Sequence, residues 1–96
     1  MRADRAAEAE PFLVGELRDF PHNLNARAAL ATFYQSMGQT EDARKTTEDL
    51  VRITPSPDAY TTAAKLFTAL GDRRQAAGMR ADARRLLASR RGAAAH

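Results

Sequence analysis

The chain has 96 residues and a net charge of +3, which is the length of a single domain. It contains no cysteine, so disulfides, thiolate metal sites and cysteine nucleophiles are excluded, and no apolar run is long enough to span a membrane. These features do not fix the compartment, and we favour the cytoplasm. Alanine occurs 21 times, and its high helix propensity and small side chain predict closely packed helices with a thin core.

The charge is distributed unevenly along the chain. Residues 1–70 carry a net charge of −2, whereas residues 71–96 carry +5. We interpret the arginines of this last part first as a solubilising cap, because their long stems can cover apolar neighbours while the guanidinium groups stay in water. They form a predicted basic surface that consists of Arg73, Arg74, Arg80, Arg84, Arg85, Arg90 and Arg91.

Turn-forming residues divide the chain into five helical segments, near residues 12–20, 24–37, 41–53, 57–70 and 73–90. The first segment follows Pro11, which we place in the first turn of its helix because proline disrupts a helix interior. This helix contains four large apolar residues, Phe12, Leu13, Leu17 and Phe20. The last residues, 92–96, are expected to form a frayed tail.

The ends of the predicted helices carry recognisable signals. Gly38 and Gly71 suit the left-handed backbone conformation that terminates a helix. Pro57 is favourable at the first position of a helix. Side chains whose oxygen can accept a hydrogen bond from the free N–H groups of the next helix occur at Asn23, Thr40, Ser56 and Asp72.

Apolar residues recur at helical spacing, with no strand-like alternation. In the second segment Leu30 and Phe33 lie on one face, and in the fourth segment Ala63, Ala64 and Phe67 do so. The sequence therefore predicts an all-α fold with Leu30 and Phe67 buried at its centre.

The sequence contains an internal repeat that relates residues 56–91 to residues 22–55. An offset of 33 residues relates Leu30 to Ala63, Ala31 to Ala64, Tyr34 to Phe67, Gly38 to Gly71, and Ala43 to Ala76. Periods of this length indicate a repeat architecture in which each unit is a helix-turn-helix hairpin that packs only on its neighbours.

On these residues the sequence resembles the tetratricopeptide repeat family over residues 12–90. The first unit matches the family pattern at Leu30, Ala31, Tyr34, Gly38, Ala43, Leu50 and Pro55. The second unit matches it at Tyr60, Ala63, Ala64, Phe67, Gly71, Ala76 and Ala83. The departures are Arg27, which replaces the leading aromatic residue, and Thr47 and Arg80, which each replace a phenylalanine.

The resemblance implies antiparallel hairpins stacked in a short right-handed superhelix. It divides the single domain, residues 1–96, into a leading helix or half-repeat over 1–21, a first full repeat over 22–55 and a second repeat over 56–91 with a basic capping helix. It also implies a concave groove for a peptide, lined by the first helix of each unit. Carried over by position, the groove residues are Asn25, Ala28, Thr32, Gln35, Ser36, Asp58, Thr61, Thr62, Lys65 and Thr68.

No arrangement of residues indicates catalysis, a cofactor or a metal. His22 in a turn and His96 at the chain end lack further ligands at metal-binding spacing, and we interpret both as surface residues. No nucleophile motif or phosphate-binding loop is present, and Ser56 is explained as a helix cap. The prediction is a non-enzymatic module that binds a protein or peptide.

The sequence is compatible with two other functions. Pentatricopeptide repeats are similar hairpins that bind RNA, so the basic last helix is compatible with nucleic-acid binding. The chain is also compatible with a purely structural role at the end of a longer helical solenoid.

The apolar residues of the first helix would normally pack against a preceding helix. Their cover could come from residues before Pro11 folded back on them, from a second copy of the chain, or from the rest of a larger protein. We predict weak self-association, as a homodimer, through this helix.

Overall fold

A computed structural model describes the backbone of residues 2–95 and the side chains of residues 8–90. The described residues form five helices, which make up 84% of the chain, and they include no strand. The prediction of an all-α fold is confirmed. In chain order the helices are α1 (Arg2–Asp19), α2 (Leu24–Ser36), α3 (Thr40–Ile53), α4 (Pro57–Ala69) and α5 (Arg73–Ala95).

The helices pack as two hairpins with a leading helix. The closest pairs are α2 with α3 and α4 with α5, and α1 lies against α2. The hairpins are joined where α4 contacts both α3 and α2, so the first helices of the two units are neighbours. The molecule measures 55 × 30 × 17 Å, and the shortest dimension corresponds to two layers of helices, each about 10 Å across.

The core is thin and consists mainly of alanines around a few large side chains. Phe67 is fully buried and Leu30 is 6% exposed, as the apolar spacing predicts. Leu50 is also buried, and the alanines at the helix crossings are Ala31, Ala43, Ala64 and Ala76, each 1% exposed. A larger side chain at these crossings would push the helices apart, at a cost of about 1–3 kcal/mol.

The first helix differs from the prediction. It begins at Arg2 and runs through Pro11 to Asp19, so the placement of Pro11 in the first turn was wrong. Proline removes only one intrahelical hydrogen bond, and the preceding residues are mostly alanine, arginine and glutamate, which are good helix formers. Because α1 is continuous, residues 2–10 do not fold back over Phe12, which is 71% exposed.

Two other boundaries are corrected. Gln39, without a side-chain hydrogen bond, is the residue before α3, so the predicted cap Thr40 lies inside the helix. Helix α5 continues to Ala95, so residues 92–95, expected to be a frayed tail, are helical. A run of alanines after Gly92 supports this extension, since one glycine costs only about 1 kcal/mol in a helix.

The other predicted helix ends are confirmed. Gly38 and Gly71 have φ angles of 74° and 81°, in the left-handed region. Asn23 accepts a hydrogen bond from the backbone N–H of Ala26, and Ser56 accepts one from that of Ala59, each at 3.1 Å. These contacts satisfy N–H groups that have no partner within the helix.

Asp72 connects this local capping to tertiary structure. It accepts hydrogen bonds from the Gln75 backbone N–H at 3.1 Å and from Arg44 Nη1 of α3 at 2.6 Å. The pKa of Asp72 lies below its ordinary value of 3.8. The largest cause is the hydrogen bond from the Gln75 N–H, and the next is the hydrogen bond from the Arg44 guanidinium. Because the folded pKa is the lower one, this stabilisation is present at neutral pH and is lost as the pH falls through the folded pKa.

Candidate functional site

The predicted groove residues of α2 form a polar and mostly exposed row. Asn25, Thr32 and Ser36 are exposed, and Ala28 is half-buried. The Thr32 hydroxyl donates to the Ala28 carbonyl at 3.0 Å, and the Ser36 hydroxyl donates to the Phe33 carbonyl at 2.7 Å. Their protons are therefore used within the helix, and their oxygens remain available as acceptors.

Gln35 makes a tertiary contact that the sequence did not predict. Its Nε2 donates to the backbone carbonyl of Ala69, near the end of α4, at 2.8 Å. This bond satisfies a carbonyl that lacks a partner within the helix, and it joins α2 to α4. The half-buried Gln35 therefore holds the two rows of predicted groove residues side by side.

The predicted groove residues of α4 form the second row. Asp58, Thr61, Lys65 and Thr68 are exposed, and Thr62 is half-buried. The surface formed by the two rows carries one acidic and one basic side chain among small polar groups. It has no aromatic anchor.

The predicted basic surface is exposed on α5. Arg73, Arg74, Arg80, Arg84, Arg85 and Arg90 all lie in solvent, whereas the side chain of Arg91 is outside the described residues. Arg85 forms an ion pair with Asp82, one turn before it. Arg80 Nη2 donates to the Thr68 hydroxyl oxygen at 3.4 Å, so the basic surface and the α4 row touch. The repeat pattern did not predict this contact.

Tyr34 is a further polar residue, and the sequence pattern did not mark it as a site residue. Burial, together with a hydrogen bond to Glu10 and the negative charges of Glu10 and Asp42, raises the pKa of Tyr34 to about 12. The phenol is therefore neutral at physiological pH. Tyr34 lies in α2 and Glu10 in α1, so the raised pKa reflects the approach of these two side chains where α1 contacts α2.

Two departures from the repeat pattern have structural explanations. Thr47 is fully buried, and its hydroxyl donates to the Ala43 carbonyl at 2.7 Å, so the polar atom has a partner. Arg27 Nη2 donates to the Pro21 carbonyl at 2.9 Å, across the turn between α1 and α2.

The histidines and acidic residues give no metal centre within the described part of the chain. No three His, Cys, Asp or Glu side chains come together there. His22 is exposed, and its Nδ1 lies 2.9 Å from the hydroxyl of Thr54, whereas His96 is outside the described residues. Among the helices described, none is both long and apolar enough to cross a bilayer.

Stacked helix-turn-helix hairpins with one polar, exposed helix in each unit define a helical repeat protein. The sequence profile of the tetratricopeptide repeat matches residues 1–66, and the chain belongs to the tetratricopeptide repeat family. Proteins of this family are in general non-catalytic scaffolds for protein–protein interaction. Searches of curated proteins and of solved structures gave no match.

The extent of the match agrees with the course of α1. We expected the resemblance to begin at Phe12, but the profile includes the residues before it. It ends at Leu66 within α4, so the basic helix α5 lies beyond the matched residues.

Proposed function

We propose that the chain binds a partner protein or peptide through the groove surface, defined as the exposed rows of predicted groove residues on α2 and α4. The observation that carries this proposal is the hydrogen bond from Gln35 to the Ala69 carbonyl, which joins the two rows. A peptide lying across both rows meets free hydroxyl oxygens and the side chains of Asn25 and Lys65, which can pair with its backbone and polar groups.

The composition of the groove surface sets the expected strength of binding. Tight interfaces depend on a few buried aromatic or arginine anchors. The two rows themselves contain none, so we expect modest affinity and partner recognition through several small polar contacts.

Site-specific photo-crosslinking in the intact protein, in its own cells, tests the proposal. A photoreactive residue at Asn25 or Thr61, both exposed on first helices, is expected to capture a discrete partner. The matched controls are Lys45 and Arg52, which are equally exposed but lie on α3, a second helix. Capture only from the α3 positions would contradict binding at the groove surface.

The same features support a function without catalysis. Proteins of the tetratricopeptide repeat family are in general non-catalytic scaffolds, and the hydroxyl groups of Thr32, Ser36 and Thr68 donate to carbonyls of their own helices. We therefore propose that the chain is not an enzyme and acts by binding alone.

A second proposal concerns the exposed face of α1. Phe12 lies in α1 and Phe20 directly follows its last residue, and the two side chains are 71% and 61% exposed. We propose that two copies bury this face against each other about a two-fold axis, since such a contact uses the same patch on both molecules. The negative charges of Glu8, Glu16 and Asp19 nearby oppose pairing, so the dimer is expected to be weak and to strengthen with salt.

Sedimentation over a range of concentrations measures this self-association. Phe12→Glu is expected to abolish the dimer without unfolding the chain, because Phe12 contributes little to the core. The control is Met37→Glu, which changes another exposed apolar residue, 50% exposed, in the turn between α2 and α3. A strict monomer at millimolar concentration, or equal loss in both variants, would contradict the proposal.

A further inference from the structure

Three exposed arginines of α5 lie in a row, or stripe, along one side of the helix. Arg73, Arg80 and Arg84 are separated by seven and four residues, which places them on one side of a helix. All three are exposed, and among residues 8–90 the ion pairs involve Arg44, Arg52 and Arg85 instead. The positive charges of the stripe are therefore not neutralised by the described part of the chain.

The stripe borders the groove surface. Arg80 reaches Thr68 of α4 at 3.4 Å, which orients this side of α5 toward the exposed row of α4. Lys65 lies three residues before Thr68 on the same helix and is also exposed. Positive side chains from two helices thus flank the edge of the groove surface. The acidic member of the row, Asp58, is seven residues from Lys65, a distance of about 10 Å along the helix.

One apolar side chain accompanies these charges. Leu87 follows Arg80 by seven residues, so it lies on the same side of α5, and it is 43% exposed. Leu87 lies about one turn after Arg84, at the end of the row of arginines, where it can contact an apolar side chain of a ligand.

We infer that this basic stripe, defined as Lys65, Arg73, Arg80, Arg84 and Leu87, binds an acidic peptide segment that carries an apolar side chain. The inference rests on the proposed function, because the stripe extends the groove surface and names the class of partner. Arginine guanidinium groups pair with carboxylates through two parallel hydrogen bonds. Arg80 and Arg84 are exposed and therefore accessible to such a partner, although Arg80 Nη2 also donates to Thr68.

An acidic peptide fits this surface better than a nucleic acid does. Sequence-tolerant binding of single strands uses aromatic rings that stack on the bases. Among the described side chains, the exposed aromatic residues are Phe12 and Phe20, at the opposite end of the chain from α5. Arg73 and Arg84 are also separated by only about 16 Å along the helix, a short track for a phosphate backbone.

Fluorescence anisotropy with the full chain tests this inference. The probe is a labelled 12-residue peptide in which aspartate and glutamate alternate around one central leucine. A second peptide, with asparagine and glutamine in place of the acidic residues, measures the contribution of charge. A 12-nucleotide single strand of DNA serves as the competing ligand. We expect the acidic peptide to bind the wild-type chain, the neutral peptide to bind at least about tenfold more weakly, and the affinity to fall with added salt.

A matched pair of double variants localises the site. R80Q/R84Q is expected to weaken acidic-peptide binding by about tenfold. R74Q/R85Q removes the same charge from another side of α5 and is expected to change affinity by less than about twofold. Circular dichroism verifies that both variants are folded.

Three results would overturn the inference: no binding of the acidic peptide, equal weakening in both double variants, or tighter binding of DNA than of the acidic peptide. The proposed function fails separately, in the photo-crosslinking experiment. If crosslinking at Thr61 captures a partner but the acidic peptide does not bind, the groove surface remains the proposed binding site. Only the inference that the partner is acidic would then be wrong.

Discussion

Replacing Phe67 by alanine is expected to lower the free energy of unfolding by about 3–5 kcal/mol, the range for removing a buried aromatic side chain. Phe67 has no exposed surface, and it lies in α4, the helix that contacts its hairpin partner α5 and also α3 and α2 of the first hairpin. The surrounding alanines are too small to fill the cavity. A domain of this length has only about 5–15 kcal/mol of total stability, so a large part of it depends on this residue.

Urea denaturation followed by circular dichroism measures this effect. Phe12→Ala is the matched control, because it removes the same side chain from a position that is 71% exposed. The control is expected to leave the unfolding midpoint almost unchanged. Similar losses in the two variants would show that Phe67 is not the centre of the core.

Replacing Leu30 by alanine is expected to lower the free energy of unfolding by about 2–5 kcal/mol. Leu30 is 6% exposed in α2, the helix that packs against α3 within its hairpin and against α1 and α4 outside it. Because repeat units are stabilised by contacts with their neighbours, a cavity in the first hairpin also weakens its interface with the second.

Thermal and urea unfolding of Leu30→Ala are to be compared with those of Leu87→Ala. Leu87 is the same residue type on α5 but is 43% exposed, so its truncation removes much less buried area. If Leu30→Ala lowers the free energy of unfolding by less than about 1 kcal/mol, Leu30 is not part of the tightly packed core.

Where the sequence and the structure agree, the signals are local. Gly38 and Gly71 mark helix ends because a left-handed backbone strains any residue with a Cβ atom. Asn23 and Ser56 cap helices because their oxygens reach backbone N–H groups three residues on. Each signal depends on a few neighbouring residues and needs no knowledge of the rest of the fold.

The prediction for the first helix failed because the preference of one residue opposes that of its neighbours. Pro11 is a helix breaker in isolation, yet α1 passes through it. Helix-forming residues on both sides outweigh the loss of one hydrogen bond. The packing of α1 against α2 adds stability that cannot be predicted from the local sequence around Pro11.

The sequence by itself determined the helix content, the hairpin period and the family, because propensity, capping and apolar spacing act over one or two turns of chain. Only the tertiary structure decided how side chains from different helices are used. Gln35 bonds to Ala69, which is 34 residues away, and Arg80 reaches Thr68 across a turn. The physical reason is that such contacts depend on the relative position of two helices, which is set by the packing of the whole core and not by the spacing of residues along either helix.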